Sequence, residues 1–185
     1  MGIVLASTSP RRVGLIRAMG LEFRAVDPLI QEGSVYAPDP RTMAMARAEA
    51  KALRVAARER TSTVVAADTV VVLEGEVLAK AGNARDVRRM LERLSGKEHQ
   101  VITAVAVCHP GFTDAMVEAD VATVTFRELT EDEVAWYAGT GEGEGTAGGY
   151  AIQGMGGSLV ATLDGARETV VGLPTALLSS MLRGQ

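Results

Sequence analysis

The 185-residue chain carries a net charge of −4 and 47% apolar residues. That is the size and composition of one globular domain spanning residues 1–185, with enough surface to bury a core without staples. The acidic balance excludes a broad basic face for nucleic acid, and no apolar run reaches the length of a membrane span. The single cysteine, Cys108, rules out a disulfide framework within the chain.

Ile3 to Ala6 reads as a short buried strand. Ser9-Pro10 follows as N-cap and first helical residue. A stripe of Leu15, Ile16 and Met19 then gives a helix closed by Gly20. Leu21 to Val26 reads as a second strand, and 27–40, rich in Pro, Gly and acids, as a long loop. The alanine-rich stretch Arg41 to Ala57 predicts a helix. Thr63 to Ala67 is a β-branched and apolar strand, Thr69 to Leu73 continues it, and Glu74-Gly75 forms its turn.

Val87, Met90, Leu91 and Leu94 stand at helical spacing within Arg85 to Leu94, and Ser95-Gly96 stops that helix. Val101 to Cys108 reads as a strand, with Cys108 as a buried small hydrophobe. Asp120 to Phe126 alternates two faces, as a strand does. Thr130 and Glu133 form a capping box at the start of a helix to Ala138. Gly139 to Gly149 is a glycine-rich loop, Leu159 to Leu163 a strand, and Pro174 to Leu182 a final helix. Strands and helices alternate without strict repetition, which argues for α/β with a mixed sheet. The N-terminus lacks a basic segment and a long apolar run, so no targeting signal is expected, and a cytoplasmic location follows.

Four groups of residues carry candidate chemistry. Ser7-Thr8-Ser9-Pro10-Arg11-Arg12 lies between a strand and a helix start, where backbone N–H groups, hydroxyls and two guanidiniums suit a phosphate. The same residues would also serve as an ordinary cap with solvated arginines. Asp68 interrupts an otherwise apolar run from Val64 to Leu73. A carboxylate there suffers desolvation unless a cation or hydrogen bonds compensate, so it is either a base or metal ligand, or a turn aspartate between two strands. Glu32, Lys51 and Lys80 are unremarkable singly. A lysine can neutralise phosphate, and Glu32 could share Mg²⁺ with Asp68. Finally, Gly148-Gly149-Tyr150-Ala151-Ile152-Gln153-Gly154 combines glycines that permit close approach with an amide able to read a base edge; the competing reading is a flexible tip.

Taken in order, LASTSPRR at 5–12, ADTVVV at 67–72 with Ala66 before it, LAK at 78–80, LSGKEHQVITAV at 94–105, GGYAIQG at 148–154 and VVGLP at 170–174 resemble the Maf family of nucleoside-triphosphate pyrophosphatases. The resemblance implies an α/β fold related to the ITPases: an elongated, twisted mixed sheet with flanking helices, in two lobes around a central cleft. It implies a nucleoside-triphosphate substrate, cleavage between its α and β phosphates, a divalent cation (Mg²⁺ or Mn²⁺), and a homodimer. It makes Asp68 the general base, and places Ser7, Arg11, Arg12, Lys51 and Lys80 at the phosphates and Glu32 with Asp68 at the metal. Arg11, Thr69 and Gln153 match the branch acting on dTTP and UTP, with modified pyrimidine nucleotides as further substrates. Three departures stand out. Gly145-Thr146 replaces an Asp-Lys pair, with Glu142 and Glu144 the nearby acids that could stand in. Ala79-Lys80-Ala81 replaces Gly-Lys-Pro, and Gln31-Glu32 replaces a pair of acids. The lost Asp-Lys pair keeps a second reading open, a non-enzymatic nucleotide sensor that regulates septum formation.

Overall fold

A computed structural model describes residues 2–183, with the side chain of Glu32 outside that description. The strands are β1 (Ile3–Ala6), β2 (Phe23–Val26), β3 (Thr63–Leu73), β4 (Glu76–Leu78), β5 (Glu98–Cys108), β6 (Met116–Phe126) and β7 (Val160–Asp164). The helices are α1 (Pro10–Ala18), α2 (Pro40–Ala56), α3 (Ala84–Leu94), α4 (Glu131–Gly139), α5 (Arg167–Val171) and α6 (Thr175–Leu182). The strands hydrogen-bond in the order β2-β1-β3-β5-β6-β7, with β4 paired to β3, so the sheet is the mixed one expected. By its contacts the chain falls into two compact units. The first contains residues 1–69, 103–120 and 172–185, and the second 70–102 and 121–171.

In the first unit β1 runs parallel to both β2 and β3, with Leu5 opposite Val65. With β1 and β5 on either side, the β3 half here, Thr63 to Asp68, is an inner strand and is buried throughout. Leu5, Ile16, Val65, Val105, Leu173, Leu178 and Met181 form its core, and Leu177 and Leu182 pack partly buried against it. Each large aliphatic side chain buried in this way contributes about 1.5–3 kcal/mol. Helix α2 presents Ala44, Ala48, Lys51, Ala52 and Val55 as its buried stripe. Small alanines allow close packing, and the 3–4 spacing places a lysine inward among them. Asp39 caps the helix by accepting from the Thr42 N–H at 2.7 Å, which holds its carboxyl below the usual range. The helix therefore begins at Pro40, one residue before its alanine-rich stretch.

In the second unit, Val87, Met90, Leu91 and Leu94 of α3 pack with Phe126, Tyr137, Tyr150 and Leu159, as the helical spacing predicts. The capping box forms, with Thr130 and Glu133 exchanging side-chain bonds to each other's backbone N–H. Strand β4 and helix α5 are additions to the sequence reading; three and five residues are too few to show a period. At α1, Ser9 holds the N-cap position but its side chain makes no capping bond. Its N–H instead donates to Ser7 Oγ at 3.1 Å, so the hydroxyl that orders this turn is Ser7.

Candidate active site

Asp68 lies in the middle of a continuous strand and not in a turn between two strands. It is 3% exposed. Its compensation comes from Lys51, whose Nζ donates to Asp68 Oδ1 at 2.6 Å; both side chains are 4% exposed. Lys51 thus faces the carboxylate that the sequence set apart from it. In a fully buried pair of this kind the mutual attraction offsets part of the desolvation cost of both charges, a cost that either would carry alone. Asp68 Oδ2 is buried and has no hydrogen-bond partner. Buried polar atoms are almost always satisfied, so an orphaned acceptor beside a fixed cation marks a position for a ligand or water.

Thr69, the next residue, is the one position of β3 not fully buried. Its hydroxyl lies 2.9 Å from Thr103 Oγ1 and accepts from Arg12 Nη2 at 3.2 Å. Arg12 Nε also donates to the Gly172 carbonyl at 2.8 Å. One guanidinium therefore ties the first turn of α1 to β3 and to the segment entering α6, using a fork that lysine lacks. Gly172 has φ +116°, a conformation for glycine alone, and a Cβ there would sit 3.2 Å from Thr69 Oγ1. Thr103 and Gly172 were not singled out by sequence reasoning as site residues. The signal was present for Gly172 in the VVGLP segment; Thr103 looked like an ordinary strand residue. Ser7 is 5% exposed at the end of β1, and the parallel register brings that end toward Asp68. Arg11 is half-buried in the first turn of α1.

Lys80 and Gln153 belong to the second unit. Lys80 is exposed, in an antiparallel bridge to Ala147. The bonds Gly145 N–H to Ala81 O, 2.8 Å, and Ala81 N–H to Thr146 O, 3.1 Å, hold its backbone. Pairing with 145–147 thus fixes the segment Ala79-Lys80-Ala81, which has no turn-forming Gly or Pro of its own. Gln153 is exposed. Glu142, a candidate to replace the missing acid, is engaged elsewhere: its carboxylate accepts from the Met155 and Gly156 N–H groups at 3.0 and 2.9 Å. Nearby, His99 Nε2 lies 2.8 Å from the Tyr150 hydroxyl, and both rings pack edge-on against Phe126. Burial pushes His99 down to about 4, opposed only in part by the Lys97 backbone, and pushes the Tyr150 phenol up. Both are neutral at pH 7, so this buried bond is structural. Burial likewise raises the Cys108 thiol, which is 1% exposed and inert as expected.

Among the described residues, no three His, Cys, Asp or Glu side chains gather into a metal cluster. No helix among them is long and apolar enough to cross a membrane.

An α/β protein with a lysine-paired acid buried mid-strand is the class that these features define. The profile of the Maf-like proteins matches residues 2–185, and the chain belongs to that family. It is 42% identical over 180 residues to a dTTP/UTP pyrophosphatase of Thermus thermophilus, covering 97% of this chain and 92% of that one. It is 42% identical over 182 residues to a Deinococcus radiodurans protein of the same name (98% and 92% covered). A Dictyoglomus thermophilum dTTP/UTP pyrophosphatase is 38% identical over 181 residues, covering 97% and 94%. Among solved structures, a HAM1 protein from Coxiella burnetii superposes with TM-score 0.55 over 100% of each chain at 16% identity, a likeness of fold.

Proposed function

We propose that this protein hydrolyses dTTP and UTP to the monophosphate and pyrophosphate, with Asp68 as the reacting carboxylate. The observation that carries the reading is the Asp68 side chain itself. One oxygen is fixed by Lys51 at 2.6 Å and the other is buried without a partner, in a chain whose relatives bear that activity in their names.

The chemistry follows from that geometry. Asp68 Oδ2 takes a proton from water, and the resulting nucleophile attacks the α-phosphorus. The bond from α-phosphorus to the α–β bridging oxygen breaks, and pyrophosphate leaves with the electron pair. Lys51 holds the carboxylate in one orientation, and its positive charge joins Ser7, Arg11, Arg12 and Lys80 as the proposed phosphate-binding groups. Arg12 and Thr69 hold each other in place beside Asp68. Positioning and charge stabilisation dominate such phosphoryl chemistry.

An acceptor-only oxygen in a buried site is also the donor type that Mg²⁺ or Mn²⁺ prefers, and these ions complete their shells with water and substrate phosphate oxygens. Asp68 Oδ2 would fit that role in place of acting as the base, since Oδ1 is taken by Lys51, and the family resemblance adds Glu32. When bound, the ion supplies neutralisation of the charge that builds on the phosphates. Thr69 and Gln153 are proposed to select the pyrimidine, since a site built to hydrogen-bond one base penalises another that leaves its polar groups unpaired.

The test is pyrophosphate release from purified protein across dTTP, UTP, CTP, ATP and GTP with Mg²⁺ and Mn²⁺. Turnover of dTTP and UTP above the purine nucleotides supports the reading. Absence of pyrophosphate with every substrate refutes it and leaves the nucleotide-sensing alternative.

A further inference from the structure

We propose that Glu142 is a positioning residue that clamps the turn bearing Gln153, and so sets base preference without taking part in hydrolysis. The inference rests on the reading of Gln153 given above. Gln153 sits at the corner of a turn closed by the Gly154 N–H to Ala151 O bond at 3.2 Å. Its side chain is exposed, so nothing in its own environment fixes the amide. The backbone around it is held by side chains instead. The Ala151 N–H donates to Tyr137 Oη at 3.0 Å, and Arg167 Nη2 donates to the Ile152 carbonyl at 2.7 Å. On the other side Glu142 uses one carboxylate oxygen on the Met155 N–H and the other on the Gly156 N–H.

Those two N–H groups open the 3-10 turn Met155–Leu159, where no partner within the turn is available to them. A carboxylate is the strongest acceptor a side chain offers for such groups. Glu142 itself follows α4 closely, its N–H donating to Thr140 Oγ1 at 3.1 Å. The clamp therefore links a packed helix to the Gln153 turn. Gly154 shows how close the fit is: a Cβ at that position would lie 1.8 Å from Glu142 Oε1. Any side chain at 154 has to displace the carboxylate. An exposed amide reads a base only if the backbone beneath it is fixed, so loosening this turn costs discrimination before it costs chemistry.

The experiment uses the full chain with UTP and ATP as paired substrates and compares Glu142→Ala, Glu142→Gln, Gly154→Ala and Gln153→Ala. Hydrogen exchange at the Met155 and Gly156 amides is followed in parallel. With a charged acceptor removed, Glu142→Ala is expected to lower the UTP-over-ATP ratio of kcat/KM about tenfold, mainly through KM for UTP, with kcat within about threefold of the parent. Both amides exchange faster while β3 and β5 keep their protection. Gly154→Ala gives the same phenotype and adds little to Glu142→Ala, because both remove one contact. Glu142→Gln restores part of the ratio through its remaining oxygen. Unchanged exchange in Glu142→Ala overturns the clamp whatever the substrate results. Faster exchange with an unchanged ratio, in a protein whose ratio does respond to Gln153→Ala, overturns the link to base preference. A parent protein indifferent to the base refutes the Gln153 reading, and this inference with it.

Discussion

Replacing Lys51 by Met isolates the interaction on which the proposed site depends. The substitution keeps most of the side-chain volume, so the loss is electrostatic. Asp68 would remain 3% exposed with Oδ2 already unpartnered and Oδ1 deprived of its donor at 2.6 Å. Removing one partner of a buried ion pair costs about 3–5 kcal/mol, because the other charge stays buried and uncompensated. For a chain of this length, roughly 2–4 °C of Tm accompanies each kcal/mol, so the midpoint falls by roughly 6–20 °C. Asp68→Leu in the same background removes the stranded charge and should recover most of that loss, since buried pairs replaced by apolar residues are often neutral in stability. Thermal and urea denaturation of the wild type, both single variants and the double variant complete the cycle. The Met variant within about 1 kcal/mol of wild type would refute the reasoning, because a pair worth so little is not the buried contact described.

Three further outcomes are expected. Asp68→Asn keeps an oxygen for Lys51 but not the negative charge that compensates it, so the variant should be less stable than wild type. In the folded variant proton acceptance is lost, pyrophosphate release should fall at least about 100-fold, and near-normal turnover would remove Asp68 from the chemistry. His99 has its folded value pushed down to about 4 from the ordinary 6.5, so the unfolded chain binds the extra proton between those values. The stability it contributes is complete above pH 6.5, declines as pH falls through that window, and amounts to about 3 kcal/mol. Wild-type stability should therefore drop more steeply from pH 6.5 to 4 than that of His99→Phe, and parallel curves would contradict the assignment. Gly172→Ala forces a β-carbon into a backbone conformation with φ +116° and against Thr69 Oγ1, for a loss of about 1–3 kcal/mol measured by denaturation. An Ala variant as stable as wild type would show that the Arg12–Gly172–Thr69 arrangement is not constrained as described.

Most of the scaffold was legible along the chain because its signals are local. Helix α3 announced itself through Val87, Met90, Leu91 and Leu94, and the box at Thr130 and Glu133 formed as spaced. The β-branched run at 63–73 is a strand, and its aspartate was conspicuous because no polar residue belongs there without compensation. What the run did not show was that the strand passes straight through Asp68. Two short strands with a turn fit the same letters, and only pairing with the neighbouring strands β1 and β5 in the sheet decides between them.

Sequence alone determined which residues were candidates, since an acid in an apolar run, two arginines after Ser-Pro and a glutamine among glycines each break a local pattern. It also determined the family, because several such departures recur in a fixed order. Tertiary structure decided what each residue touches. Lys51 lies 17 positions from Asp68, Arg12 lies 160 from Gly172, and Glu142 reaches 13 and 14 residues ahead to Met155 and Gly156. Hydrogen bonds and ion pairs act over a few ångströms of space, and no periodicity of the chain encodes which distant residue will arrive within that range.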